Sequence, residues 1–391
     1  KNPGTAGGVI DVKAKIIVGS NVTLHSTGNA LGLKLYNRIY RVSGTGNFVV
    51  GSSTGTVIQI YYTSPTYLSI GRTPADVGFN FTNMSNVDMQ LLGSPSLMPS
   101  AEVGDLTVNN SGSNTTISND VTVSGDVNIS NSSKLTVDAD ITVNGDISVT
   151  NGSELSVDGN LTSKGHWTIL AGGTFSPQNG SKVTFSGTSL QTVQTKGQAF
   201  ASVDVNNSGI GLVVKDNMII NSSGTLRLID GIVKAGGPSN PHGKVYVKNK
   251  SQLAICGSAN NIQSLTNQSF IWGALVRNVW NNASQFRRYA YPIGVVKPGS
   301  GGAEARFYRA GATFVNTTGI DKMLIRAVSG GPSFYNESDF QAANINVPSS
   351  DSVQGFQVQR IMNEVMWRIT PLDASNKYVS AVTGGHVNFK M

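Results

Sequence analysis

A segment of twenty residues repeats in the middle of the chain and constrains the fold more than any other feature. Residues Asp120–Ile129 align with Asp140–Val149, and Asn131–Asp138 align with Asn151–Asp158. A third copy begins at Asn160 and then becomes irregular. Tandem repeats of this length are typical of solenoids, in which each repeat buries its apolar face against its neighbours.

Within each copy the apolar residues alternate with Ser, Thr or Asn, which is the period of a β-strand. Gly, Asn, Asp and Ser separate the apolar pairs and favour turns. The pattern predicts three short strands in each coil of a parallel β-solenoid, with coils stacked at ~4.8 Å. In the first copy the inward pairs are Val121/Val123, Val127/Ile129 and Leu135/Val137.

The regions on either side of the repeat also favour strands, so we predict an all-β protein. Residues 1–100 form an N-terminal β region that is either a cap or a set of early coils. Residues 101–238 form the solenoid. A cluster of Gly, Pro, Ser and Asn near residue 238 indicates a boundary. Residues 239–391, richer in aromatics and arginine, are predicted to form an antiparallel, β-sandwich-like domain.

Composition argues against several classes of protein. Of the 391 residues 13% are charged and 39% hydrophobic, which is unlike a disordered chain. A single cysteine, Cys256, excludes an internal disulfide framework. The net charge of +7 arises mostly from isolated basic residues, so we expect no nucleic-acid binding, and no apolar run predicts membrane insertion. Four scattered histidines offer little for catalysis, and we expect no enzyme.

The aspartates of the repeat are the candidate metal ligands. In stacked coils each column of carboxylates repels unless a cation, a proton or water intervenes, and calcium prefers such oxygen ligands. The alternative, which we favour, is that these residues make turns and face water. The columns are Asp120/Asp140, Asp126/Asp146 and Asp138/Asp158.

Four aromatic residues of the C-terminal region could form a sugar-binding platform: Trp272, Trp280, Tyr289 and Tyr291. Such residues more often belong to a core. A polysaccharide-cleaving enzyme would need acids with a defined separation, and nothing marks any acid of the repeat as catalytic.

The chain resembles large secreted surface proteins of Bacteroidota that the type IX secretion system exports. The segments that resemble them are Lys182–Val193, Val203–Gly209, Arg287–Gly294 and Met366–Thr370. The resemblance implies an extracellular, cell-surface β-solenoid with adhesive or structural roles. The C-terminal sorting domain of that class is not recognisable in this sequence.

These observations predict a non-enzymatic, secreted structural protein, either the stalk of a surface adhesin or a subunit of an extracellular filament. We expect self-association into a homo-oligomer or filament, and a surface glycan or host-cell ligand as a further partner. A strand near the N-terminus is the candidate for donation to a neighbour, with Val9, Ile10, Val12, Ile16 and Val18 as its apolar residues. The alternative is a carbohydrate-binding or polysaccharide-cleaving β-helix.

Overall fold

The structure is a computed structural model that describes the chain in several stretches. No helix within them is long and apolar enough to cross a bilayer. The described residues are 16–18, 23–26, 42–44, 47–50, 58–61, 81–84, 89–92, 101–109, 111–112, 114–236, 243–266, 268–280, 287–299, 302–315, 320–329, 365–379 and 386–390.

The predicted fold class is confirmed: the described chain is all-β, with one short 3-10 helix at Gln252–Ala254. A parallel β-solenoid of about 8 turns lies between residues 106 and 294. Its strands are β8 (Ala101–Val103), β9 (Leu106–Val108), β10 (Asn114–Ile117), β11 (Val121–Val123), β12 (Val127–Ile129), β13 (Lys134–Val137), β14 (Ile141–Val143), β15 (Ile147–Val149), β16 (Glu154–Val157), β17 (Asn160–Ser163), β18 (Trp167–Ile169), β19 (Thr174–Pro177), β20 (Lys182–Phe185), β21 (Gln191–Gln194), β22 (Ala199–Phe200), β23 (Ser202–Asn206), β24 (Leu212–Val214), β25 (Met218–Ile220), β26 (Leu226–Asp230), β27 (Val233–Lys234), β28 (Val245–Val247), β29 (Ile255–Cys256), β30 (Ile271–Trp272) and β31 (Ala274–Asn278).

Each coil contributes one strand to each of three sides. The first sheet contains β8, β11, β14, β17, β20, β23, β26 and β29, and the second contains β9, β12, β15, β18, β21, β24, β27 and β30. The third side is built from β10, β13, β16 and β19, followed by β22, β25, β28 and β31. The strands of neighbouring coils pair in parallel, in the register that the repeat predicts: Val127 pairs with Ile147, and Leu135 with Leu155.

The alternating apolar residues fill the interior, as predicted. The inward residues of β11 to β16 are at most 2% exposed. In the third copy and the coil after it, aromatic rings enter the interior. The ring of Trp167 lies 5.0 Å from that of Phe175 and 5.4 Å from that of Phe200, centroid to centroid. These rings replace aliphatic inward residues at the point where the sequence repeat degrades.

The described N-terminal strands also pair in parallel. They are β1 (Ile16–Val18), β2 (Thr23–Ser26), β3 (Val42–Gly44), β4 (Asn47–Val50), β5 (Ile58–Tyr61), β6 (Phe81–Met84) and β7 (Met89–Leu92). β5 pairs with β7, and β7 continues the second sheet next to β9; β6 pairs with β8 of the first sheet. Two further pairs, β1 with β3 and β2 with β4, are parallel as well.

The coils continue beyond residue 238, where the sequence indicated a boundary. The Gly- and Pro-rich cluster lies between β27 and β28, and both strands extend the parallel sheets. Val233 pairs with Ile271, 38 positions further on. Because this coil is so long, the twenty-residue period cannot be recognised in its sequence. An independent domain at residues 239–391 stays a prediction.

Antiparallel strands follow the last coil and extend two of its sheets. The added strands are β32 (Arg287–Gly299), β33 (Gly302–Val315), β34 (Lys322–Ser329), β35 (Val365–Leu372) and β36 (His386–Lys390). β32 pairs in parallel with β30 and antiparallel with β33, and β33 pairs antiparallel with β36. On the third side, β31 pairs antiparallel with β34, which pairs with β35.

Candidate functional site

The carboxylates of Asp126 and Asp146 lie in the turns between the first and second sheets and bond to the next coil. Asp126 Oδ1 accepts a 2.8 Å hydrogen bond from the backbone N–H of Asp146, and Asp146 Oδ1 accepts a 2.7 Å bond from that of His166. One coil earlier, Asp105 Oδ1 accepts from the N–H of Asp126 at 2.8 Å. Such charge-assisted bonds are stronger than neutral ones. This column therefore joins four successive coils.

Glycines beside this column allow the turns to stack closely. The N–H of Gly145 donates to the carbonyl of Gly125 at 2.9 Å, and that of Gly165 donates to Gly145 at 3.1 Å. A Cβ atom on Gly145 would lie 2.5 Å from the carbonyl oxygen of Gly125, closer than carbon and oxygen atoms approach. The close backbone stacking explains why glycine recurs here and why the aspartate side chains reach the next coil.

The Asp120/Asp140 column makes longer bonds of the same kind. Asp120 Oδ1 accepts from the N–H of Asp140 at 3.2 Å. Asp140 Oδ1 accepts from both the backbone N–H and the side-chain amide of Asn160, at 3.2 and 3.0 Å. Both carboxylates thus act as acceptors between coils.

The third column, Asp138 and Asp158, behaves differently. Partial burial, and secondarily the negative charge of Asp158, raise the pKa of Asp138 above its ordinary value. In the described part of the chain, no group of three or more His, Cys, Asp or Glu residues is arranged to hold a metal ion. Calcium at the six predicted aspartates therefore stays a prediction.

Sequence reasoning missed an ion cluster on the outer side of the first sheet. The carboxylate of Asp204, only 3% exposed, accepts a 3.1 Å hydrogen bond from Arg227 Nε and a second bond from Arg227 Nη2. Lys182 Nζ lies 3.3 Å from the same carboxylate. The hydrogen bonds that Arg227 donates to Asp204 raise the pKa of Arg227. Cys256 pairs with Arg227 in the next strand, and burial raises the pKa of its thiol, which suits a packing residue rather than a nucleophile.

A buried amide network, also missed, replaces the aspartate column in the irregular coils. Gln191 Nε2 donates to the carbonyls of Ser163 and Gly165, at 3.0 and 2.7 Å. Its Oε1 accepts from the N–H of Gly187 and from Asn207 Nδ2, both at 2.9 Å. Two more backbone N–H groups donate to Asn207 Oδ1. Both side chains are thereby fully used in holding three coils together.

The structure does not bring the four predicted platform aromatics together. Tyr289 and Tyr291 are fully buried in the core. Trp272 is half-buried on the second sheet, where Lys234 Nζ lies 5.7 Å from its ring centroid. Trp280 is 45% exposed beyond the end of β31. The four aromatics therefore form no common platform, and Tyr289 and Tyr291 belong to the core, which was the favoured alternative, because alternation along β32 points both tyrosines inward.

Arg277 is a fully buried cation that sequence reasoning did not single out. It donates to the carbonyls of Ala290 and Gln252, both at 2.9 Å, and to that of Ser251. Its guanidinium carbon lies 4.8 Å from the ring centroid of Tyr289. Burial lowers its pKa to about 10, so the side chain remains charged at neutral pH. It joins the 3-10 turn, the last parallel coil and β32.

The described histidines, which sequence reasoning did not assign to a site, belong to different strands and turns. His166 Nδ1 accepts a 3.0 Å bond from the N–H of Thr192, whereas His25 is in β2 and His386 in β36. His242 lies outside the described residues. The three described histidines therefore form no common site.

The proposed donated strand is partly described. Ile16 and Val18 belong to β1, which pairs with β3 of the same chain. Val9, Ile10 and Val12 lie outside the described residues. Donation of this strand to a neighbour stays a prediction, and it would require exchange of the β1–β3 pairing.

Comparison with protein-family models, with curated proteins and with solved structures finds no match for this chain.

Proposed function

We propose that this chain is a non-enzymatic structural protein of the cell exterior. Its solenoid serves as the stalk of a surface adhesin or as the body of a filament subunit. One observation supports this role above all: the carboxylates that repeat in the turns accept backbone N–H groups of the following coil.

An enzyme would need such acids available to a substrate. Asp126 and Asp146 instead use one oxygen each to stack the coils. Repeated contacts between neighbours make stability a sum along the axis, which suits an extended and stiff body. The repeat is thus better matched to mechanical support than to acid–base chemistry.

The outer side of the first sheet supports the same role. Thr122, Thr142, Thr162 and Thr184 pair in register across four coils. Their short hydroxyl side chains follow one another at about the strand spacing of ~4.8 Å. Along these four coils this neutral column of hydroxyl groups remains hydrated without offering a large apolar patch to other proteins.

Filament formation would use contacts other than continued parallel stacking at the C-terminal end. There the second and third sides end in antiparallel strands, β36 and β35, within the described chain. Residues 101–229 carry six basic and eleven acidic residues, whereas residues 230–391 carry sixteen and eight. This opposite charge would favour contact between one copy's solenoid and another copy's C-terminal region, weakly in salt.

The resemblance to type IX cargo proteins of Bacteroidota supports secretion to the cell surface as part of this proposal. There the partners would be further copies of the chain and a surface glycan or host-cell ligand. The stacking bonds of Asp126 and Asp146 need no cation; if the aspartate columns also took one, calcium would be the candidate.

Electron microscopy of the purified protein, with and without a calcium chelator, tests the proposal. Small-angle scattering gives the dimensions of single particles. Regular filaments support a filament subunit, and elongated single particles support a stalk. Compact particles whose maximum dimension matches a globular chain of this length would overturn both. Loss of filaments on chelation would assign calcium to the assembly.

A second candidate is a carbohydrate-binding surface protein. The exposed indole of Trp280 favours it, because exposed aromatic rings beside polar groups commonly serve as ligand platforms. Reducing-sugar release by the purified protein would show cleavage as well as binding.

A further inference from the structure

We propose that an exposed patch at the C-terminal end of the solenoid binds acidic polysaccharides. The patch, the Trp280 platform, consists of Lys250, Leu253, Trp280 and Arg288. Leu253 is 52% exposed and Trp280 45% exposed, and the Arg288 side chain is also exposed. This inference rests on the second candidate function, carbohydrate binding at Trp280, and names the class of saccharide; it does not depend on rods or filaments.

Hydrogen bonds fix the residues of the platform to one another. The hydroxyl of Tyr289 accepts a 2.9 Å bond from the backbone N–H of Trp280 and donates a 3.2 Å bond to the carbonyl of Lys250. The side-chain oxygen of Gln252 accepts from the N–H of Arg288 at 3.3 Å. Three separate segments of the chain therefore meet at this surface in a defined arrangement.

The buried Arg277 supports the same surface from below. Its guanidinium donates to the carbonyls of Ser251 and Gln252, which lie between Lys250 and Leu253 in the chain. Burying a guanidinium costs several kcal/mol unless good partners compensate. Its described partners are carbonyls and an aromatic ring rather than a carboxylate, so the cation holds a loop in place and adds positive charge. A surface held this firmly loses little conformational entropy when a ligand binds.

The stretch of sequence that contains the platform is basic, although Asp321 immediately before the neighbouring strand β34, whose carbonyl accepts from the N–H of Val279, adds one acidic residue nearby. Residues 231–303 contain eight Lys and Arg and no Asp or Glu. Lys250 Nζ lies 5.5 Å from the ring centroid of Trp280, which places a cation beside an exposed aromatic ring. Such a surface attracts anionic ligands over a distance of about one Debye length, roughly 8–10 Å at physiological salt.

The combination of groups favours an acidic saccharide over other anions. The exposed indole packs against the apolar face of a sugar ring, while Lys250 and Arg288 pair with carboxylate or sulfate groups. Single-stranded nucleic acid is bound by several stacking aromatics along a basic groove. Among the described residues of this surface, Tyr289, the neighbouring aromatic residue, is buried and Trp280 offers an exposed ring. One ring with Lys250 beside it and the exposed Arg288 on the neighbouring strand matches one acidic sugar unit.

Binding of the full chain to polysaccharides on a biosensor tests the proposal. The probes are heparin and polygalacturonate as acidic polymers and dextran as a neutral one. We expect binding to at least one acidic polymer, weakened by salt, and little binding to dextran. Trp280→Ala should lower the affinity about tenfold or more, as expected when an aromatic anchor is removed. Lys250→Ala and Arg288→Ala should each lower it by a smaller factor.

The matched control is Trp272→Ala, which removes another partly exposed, described tryptophan with a neighbouring lysine and should leave the affinity unchanged. Trp280→Tyr keeps an aromatic ring and should retain most of the binding, which separates loss of the ring from loss of folding. Unchanged binding by Trp280→Ala, or equal loss in Trp272→Ala, would overturn the proposal. Tighter binding to a thymidine oligonucleotide or to phosphatidylglycerol vesicles than to either acidic polymer would also overturn it. Particle dimensions should not change in any variant, so failure here leaves the structural role standing.

Discussion

The coils between Asn114 and Val157 and those between Asn160 and Gly294 are held together in different ways. In the earlier coils paired residues are twenty positions apart, as Thr122 and Thr142 are, and each column repeats one type of side chain. In the later coils the spacing varies, and Val233 pairs with a residue 38 positions away. There four aromatic rings enter the interior, and single polar networks replace the repeated aspartates.

This difference indicates how stability is distributed. Where every coil repeats the same contacts, each residue contributes a small and similar share of the free energy of unfolding. Where the repeat is lost, a few large or charged residues contribute a much larger share of it. Substitutions should therefore have small, even effects in the earlier coils and large, local effects in the later ones.

The largest expected effect is that of Trp167→Ala. Trp167 is fully buried among three phenylalanine rings, and Ile147 occupies the same column one coil earlier. The free energy of unfolding should fall by about 3–5 kcal/mol, against about 0.5–1.5 kcal/mol for Ile147→Val. Chemical denaturation of both variants gives the comparison. Equal losses would remove the proposed difference between the two regions.

Asp204→Ala should rank second. It leaves Arg227 and Lys182 without their carboxylate, and since Arg227 is 25% exposed, we expect a loss of about 2–3 kcal/mol, below that of a fully buried pair. The matched ion pair of the earlier coils, Lys134 with Glu154, is about one-third exposed on both sides. Glu154→Ala should therefore cost about 0.2–1 kcal/mol. If thermal unfolding showed that Glu154→Ala loses as much stability as Asp204→Ala, the predicted difference between the two regions would be contradicted.

Gly145→Ala tests the close stacking of the regular turns. The added Cβ would meet the backbone of Gly125, which cannot move without shifting a coil, so we expect a loss of about 1–3 kcal/mol. Asn144→Ala, an exposed change in the same turn, should remain within about 0.5 kcal/mol of the parent protein. If both variants unfold at the same denaturant concentration as the parent, the glycine column has no structural role.

The smallest effect is expected at Asp138, where it depends on pH. The pKa of this carboxyl is raised in the folded protein, so ionisation opposes folding. Its contribution to stability is therefore favourable below the ordinary value of 3.8 and is lost as pH rises through the folded pKa. Asp138→Asn should thus have a higher melting temperature than the parent at pH 7 and the same melting temperature as the parent at pH 3.

Asp158→Asn is the companion variant, because it removes the charge that repels Asp138. It should raise the melting temperature at pH 7 in the same direction. A lower melting temperature for both variants at pH 7 would show that the two carboxylates bind a cation or a donor that stabilises them.

The sequence was sufficient to predict the solenoid, its three strands per coil and the register of its regular part. Strict recurrence of residues such as Val127 and Ile147 leaves only one alignment of successive coils. The aspartate columns were also predicted, but not that each carboxylate accepts an N–H of the next coil. That bond depends on how closely the glycine turns stack, which spacing alone does not determine.

The polar networks of the later coils could not be predicted in the same way. Asp204 and Arg227 lie 23 positions apart, and no constant period places them side by side. Arg277 sits in an apolar strand, where alternation gives no sign that a charged side chain points inward. Its partners are carbonyls from segments that become neighbours only after the last, irregular coil forms.

The measurement that most directly tests the account is the melting temperature of the parent protein and of Asp126→Ala, each with millimolar calcium and with a chelator. If the repeated carboxylates serve to stack the coils, Asp126→Ala should melt lower by the same amount in both solutions, because the lost acceptor of the Asp146 N–H does not depend on a metal. A parent protein that melts several degrees higher in calcium, with the increase absent in Asp126→Ala, would contradict this and make the column a metal site.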